Sequence, residues 1–241
     1  MRSIGLVARR EMGTYFNTWW GWTILMMVLL IDGLMFNAFA LTDKARYSAE
    51  VLEDFLFFSS GTTMVAGVLL TMRLLAEERQ TGTMVLLETA PIGEAQVILG
   101  KFLGAMGFLT VITLLTLYMP LLIQVNGKVS WSQIGAGYLG LLCLGGSAVA
   151  IGTFGSAMSK NQLLSAAIGG VLLVIMLLGW LLARVTEPPI SPILSYMALF
   201  DRHFQPFMRG RINSESLVFY GSVIFAFLLM STRALQARRW R

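Results

Sequence analysis

Residues 171–182, VLLVIMLLGWLL, form an apolar run that turns no polar side in any direction. A membrane barrel strand alternates apolar and polar residues over about ten positions. A run that is apolar all round is instead a helix buried in a core or in lipid. Comparable runs recur along the chain, and the spans read at 19–41, 55–76, 102–124, 134–158, 163–183 and 217–234. Each is close to the roughly 20 residues needed to cross a bilayer. Charged residues make up 13% of the 241, against about 25% in a soluble domain. So few charges leave too little polar surface to cover a globule in water. The predicted fold is an all-α integral membrane protein with six transmembrane helices, residues 1–241 forming a single transmembrane domain.

Before the first span, Ile4, Val7, Ala8, Met12, Tyr15 and Phe16 recur at helical spacing, with Arg2, Arg9, Arg10 and Glu11 off that stripe. This pattern predicts an amphipathic helix lying in the membrane interface. Trp19, Trp20 and Trp22 follow, as in an aromatic belt at headgroup depth. The first apolar run has span length, so no cleavable signal peptide is expected. Six spans place both termini on one side. With the termini inside, the inner segments hold eleven lysines and arginines and the outer ones seven, seven of the eleven lying at the chain ends. Both termini are therefore expected to be cytoplasmic. The outer segment 184–215 carries Pro188, Pro189, Pro192 and Pro206 among many apolar residues. It is expected to form short helices folded back on the bundle.

Catalytic and metal-binding constellations are missing from the sequence. His203 is the sole histidine and Cys143 the sole cysteine, too few for a zinc site or a catalytic triad. Gly135, Gly137 and Gly140 spell a dinucleotide fingerprint, but they open an apolar span rather than follow a strand. Gly93 and Gly100-Lys101 are too widely spaced for a phosphate loop, and Phe102 stands where that loop needs Ser or Thr. Neither catalytic nor cofactor-binding residues are expected on this chain. Ala148, Gly152 and Ser156, four apart, suit close helix packing in lipid. Asp32 is a carboxyl group deep in a span, either lining a path, pairing with another helix, or a protonated or hydrogen-bonded group in a helix contact.

The inner segment 77–101 is the most informative. Glu77, Glu78 and Arg79 leave the second span, Gly82 breaks the chain, Thr83 can cap a short helix and Pro91 stops it. Met84, Leu86 and Leu87 offer apolar contacts and Glu88 a charged one, as in a docking lever parallel to the membrane.

These residues resemble the first cytoplasmic loop of ABC-2 type ABC transporter permeases, which reads roughly E-R-x-x-G-T-x-E-x-L-L-x-x-P. Val85 replaces the family's glutamate, with an acid at Glu88 instead. The resemblance extends to Ala8-Arg9-Arg10-Glu11, Tyr15-Phe16-Asn17, Leu99-Gly100-Lys101-Phe102-Leu103, Ser159-Lys160-Asn161-Gln162 and Arg209-Gly210. The ending, Arg233 to Trp240, is similar to the gliding-motility (GldF-like) branch. The resemblance implies an ABC-2, type V exporter-like transmembrane domain, with residues 1–17 as connecting helix. It implies pairing with a second copy or a paralogous permease, and two separate cytoplasmic ATPase subunits that bind ATP and Mg. The coupling helix would lie at 83–90, with a second cytoplasmic contact at Lys160 and Asn161. Location in a bacterial inner membrane, export of a substrate and an extracytoplasmic auxiliary membrane protein are further implications. Two other readings compete. One is a mechanotransmitting or scaffold subunit that couples an ATPase to an extracytoplasmic machine without transport. The other is an ion-coupled secondary transporter, which would carry more intramembrane charge than Asp32.

Overall fold

A computed structural model describes residues 2–40, 47–84, 92–187 and 190–239. The described residues form helices α1 (Arg2–Asn17), α2 (Trp19–Ala40), α3 (Ser48–Thr71), α4 (Ala76–Gln80), α5 (Glu94–Leu115) and α6 (Tyr118–Asn126). They continue with α7 (Trp131–Met158), α8 (Gln162–Leu177), α9 (Gly179–Val185), α10 (Ile190–Met197), α11 (Gln205–Met208) and α12 (Ser214–Arg239).

Five helical stretches are long and apolar enough to cross a membrane, at Trp19–Ala38, Ser48–Gln80, Glu94–Val125, Trp131–Met158 and Ser214–Ala237. This is a multi-pass membrane protein. The stretch read as a fifth span at 163–183 is not one long helix: it divides at Leu178 into α8 and α9. The division follows from what packs there. A Cβ on Gly179 would come within 3.1 Å of Leu194 O and 3.4 Å of Ala198 Cα, so the backbone of the outer segment crosses at that glycine. Leu199 N–H also donates to Met176 O at 3.2 Å, tying the segment to the last turn of α8.

Helix α7 is the axis of the bundle, with 78% of its span enclosed against 28% for α2 and for α12. Ser130 caps it, accepting from Gln133 N–H, one of the orphan donors at a helix start. Its small residues do what their spacing suggested. Gly152 lies against Thr71 of α3 and Gly169 of α8, and Gly155 against the α8 backbone at Ser165 and Gly169. Such contacts let helices approach where lipid supplies no hydrophobic drive. Gly137 and Gly140 likewise receive Leu56 and Phe207, so the fingerprint-like glycines are packing positions within α7.

The apolar stripe of α1 has a partner other than lipid. A Cβ on Gly100, Gly104 or Gly107 would meet Val7, Glu11 or Met12 in turn. Helix α1 thus runs alongside the first half of α5, in the same direction, seated on a glycine stripe. Tyr15, buried, stacks on Phe108 at 5.1 Å between ring centroids and donates to Leu70 O at 2.8 Å. Trp19 and Trp22 are exposed, but Trp20 turns inward to donate to Leu69 O at 3.4 Å.

The outer segment holds α10 and α11, with Phe204 and Phe207 fully buried. Its histidine, His203, is also buried and stacks on Phe219 of α12 with ring centroids 3.8 Å apart. His203 Nε2 lies 3.0 Å from Tyr196 O, leaving a buried Nδ1 with no partner. Burial holds the imidazole below its ordinary pKa, so the folded protein favours the neutral ring.

Two tests follow from this packing. Gly155→Ala forces α7 and α8 apart and is expected to cost about 1–3 kcal/mol. Gly170→Ala, whose Cβ would meet nothing within 4 Å, is expected to hold or gain up to about 1 kcal/mol from helix propensity. Thermal unfolding of the purified variants in detergent compares them. The second test concerns pH. Because the folded pKa of His203 is depressed, its unfolded form takes up a proton first. Stability is therefore complete above pH of about 6.5, the unfolded value, and falls as the pH drops below it. A melting series from neutral to mildly acidic pH should show the fall in wild type and a smaller one in His203→Phe.

Candidate functional site

Where the second span ends, α3 stops at Thr71, the chain turns through 72–75, and α4 begins. The turn is held by one hydroxyl from another helix. Ser156 Oγ of α7 accepts from Leu75 N–H at 3.0 Å and Ala76 N–H at 3.1 Å. Both are donors that a helix start leaves without intrahelical partners. Ser156 is therefore more than a small packing residue.

Helix α4 is then tied on two further sides. Glu78 accepts from Lys101 Nζ of α5 at 2.8 Å, and the same ammonium donates to Glu11 of α1 at 2.7 Å. The lysine side chain is 2% exposed, so the ammonium is shut away from water, while Glu11 and Glu78 keep 15% and 18% exposure. On the other side Arg79 Nη1 donates to Ala157 O at 2.7 Å and Ser159 O at 2.6 Å. These are carbonyls at the end of α7, where the helix dipole favours a cation. Glu77 pairs with Arg73 one turn back, and the Arg73 guanidinium lies 5.9 Å from the Trp20 ring centroid.

The predicted coupling residues Glu77, Glu78 and Arg79 thus share one short helix anchored to α1, α5 and α7. Gly82 follows with φ +73°, the left-handed conformation that suits a residue without Cβ. Thr83 Oγ1 is 2.9 Å from Thr81 Oγ1, and Met84 packs at the edge of the buried cluster below α1. Leu86, Leu87, Glu88 and Pro91 lie outside the described residues, as does most of the predicted coupling helix at 83–90. The second predicted contact joins this corner, because Arg79 grips the α7 end that runs into Lys160 and Asn161. Asn161 caps α8 by accepting from Leu164 N–H at 2.8 Å, and Lys160 is exposed.

Asp32 is remote from this corner and 1% exposed. Its carboxylate accepts from Ser59 Oγ at 3.1 Å and Thr62 Oγ1 at 2.7 Å, both on α3. Of the arrangements left open for it, the geometry contains a hydrogen-bonded contact that pairs α2 with another helix. Among the described residues no cluster of His, Cys, Asp and Glu could hold a metal ion.

Sequence reasoning missed Lys101 as the centre of the corner, and Glu11 as its partner 90 residues away. The available signal was a lysine inside the sequence ILGKFLGAMG, apolar and glycine-rich, where a solvated charge has no place. No protein-family model matches the chain, and no curated protein matches it either.

What the corner can do is mechanical. A push on α4 would reach α1 and α5 through the triad and α7 through Arg79 and Ser156. Removing one member of a buried ion group leaves the others uncompensated. Lys101→Met is therefore expected to cost about 3–5 kcal/mol. The triple variant Glu11→Gln, Glu78→Gln, Lys101→Met strands no charge and should recover most of that loss. Thermal unfolding of both in detergent checks the difference.

Proposed function

We propose that this chain is the membrane-spanning permease subunit of an ATP-driven ABC transporter of the ABC-2 type, close to the gliding-motility branch. In this reading it crosses a bacterial inner membrane six times with both termini cytoplasmic, the interrupted α8–α9 making the fifth crossing. It pairs with a second copy or a paralogous permease and exports a substrate. It is not itself an enzyme; ATP and Mg sit on two separate cytoplasmic ATPase subunits.

The observation that carries the reading is α4. The loop pattern that resembles the family begins at Glu78-Arg79, and these two side chains are the ones anchored to α1, α5 and α7. A subunit pressing on residues 83–90 would act on a segment whose root is rigidly joined to the rest of the bundle. An ordinary surface loop needs no such root.

The double substitution Leu86→Asp, Leu87→Asp tests this. Unpaired charge in a docking contact typically costs several kcal/mol, so recovery of the ATPase with the tagged permease should fall at least about tenfold. Membrane abundance of the permease should stay unchanged, since neither residue is in a span. Full recovery of the ATPase would show that these residues do not dock it, and the contact around Lys160 would be the next to vary.

A further inference from the structure

Three features lie along one path on one flank of the protein. At its foot, the outward face of α1 carries Arg9 and Arg10, both exposed, beside an open depression of about 540 Å³ that Leu6, Thr14 and Thr18 also line. Among the described residues neither arginine reaches a carboxylate at ion-pair distance, whereas Glu11 is taken by Lys101 and Glu77 by Arg73. Thr14 and Thr18 border a second, smaller hollow beneath Trp20 and Arg73. One turn beyond Trp20, a groove of about 280 Å³ opens between α2 and α3.

That groove is apolar. Ile24, Val28 and Ile31 line it from α2, and Gly61, Val65 and Leu69 from α3. Its polar neighbour Thr62 has its hydroxyl committed to Asp32 and Ser59 O. Met27 is 40% and Val65 49% exposed, so the groove opens at the outer surface of the bundle. Between Ile24 and Met35 it follows α2 for about 17 Å, close to the ~15 Å depth of one leaflet's hydrocarbon. Exposed Trp19 and Trp22 lie in the first turn of α2, just before Ile24, and indole rings favour headgroup depth.

We propose that this path is a binding site for one anionic phospholipid, its phosphate head on Arg9 and Arg10 and an acyl chain in the α2–α3 groove. The exposed pair of guanidiniums, neither within ion-pair distance of a carboxylate among the described residues, selects the charge of the head, and the dry groove selects the chain. A protein partner docking on the arginines would have no use for the groove. The proposal stands apart from the transport reading and concerns the bilayer around the chain.

Native mass spectrometry of the full-length protein in detergent tests it, with phosphatidylglycerol and phosphatidylcholine of identical chains titrated separately. One basic residue near an anionic surface gives about a fivefold preference, so wild type should hold phosphatidylglycerol at least about tenfold more strongly. Added salt should erode that preference. Arg9→Gln with Arg10→Gln should bring phosphatidylglycerol down to the level of phosphatidylcholine, and Arg9→Lys with Arg10→Lys should retain most of the difference. Gly61→Leu, at a position with nothing within 4 Å of a Cβ, should fill the groove and weaken both lipids without changing their ratio. Equal binding of the two lipids by wild type, or a salt-independent preference, overturns the proposal. So does a glutamine variant that keeps its preference but loses a copurifying protein, or a Gly61→Leu protein that holds both lipids as before.

Discussion

An ammonium group shut away from water, with a carboxylate on either side, holds one end of this bundle together. Lys101 comes from α5, Glu11 from α1 and Glu78 from α4, and the three meet within hydrogen-bonding distance. Buried ions are costly to separate, because each then loses its partner without regaining its hydration. Helix α1 therefore cannot lift off α5, nor α4 swing free, without uncovering charge in a low-dielectric setting. The glycine stripe at Gly100, Gly104 and Gly107 serves the same end sterically, bringing α1 close enough for Glu11 to reach the lysine. Sterics and electrostatics here depend on each other.

Around α7 the logic is different, since contact is made by removing side chains. Gly152 and Gly155 let α3 and α8 lie almost backbone to backbone against it. Two of the polar groups on that seam have identifiable partners. Ser156 satisfies the donors of the turn before α4, and Thr71 bonds back to its own helix at Gly67 O and Val68 O. The outcome is an enclosed central helix whose C-terminal end is capped by Arg79 and whose N-terminal end is fixed by Gln133 donating to Met208 O. Movement at one end of α7 has a direct covalent route to the other.

Much of this was legible in the sequence, and what was not has physical reasons. Apolar runs announce membrane helices because lipid tolerates little else, and five of those read in the sequence correspond to long apolar helices. The break at Leu178 left no mark, because the run stays apolar across it and the cause is a distant backbone crossing Gly179. The stripe on α1 was readable as amphipathic, but amphipathicity does not say whether lipid or another helix receives the apolar face. Lys101 and Glu11 were hidden as a pair for the same reason that most ion pairs are: a separation of 90 positions carries no local sign of their meeting. Asp32 advertised itself as a buried carboxylate, whereas Ser59 and Thr62, its donors, look like ordinary small polar residues of a span. The residues of the predicted coupling helix beyond Met84 are outside the described part of the chain.

The interruption at Leu178 has a consequence for the surrounding bilayer. Helix α8 has 16 residues, or about 24 Å of continuous helix, against a hydrocarbon core of about 30 Å. Its outward side is strongly apolar, with Leu163, Val171, Val174 and Ile175 exposed. In the six-crossing arrangement proposed above, the wall that lipid meets on this flank is completed only across the break, by α9 with Leu181, Leu182 and Val185 exposed. A change of angle at such a break alters the height of the wall, and tilting or kinking of this kind relieves hydrophobic mismatch at a fraction of a kcal/mol per ångström. The break would make this flank the side on which membrane thickness acts on the protein.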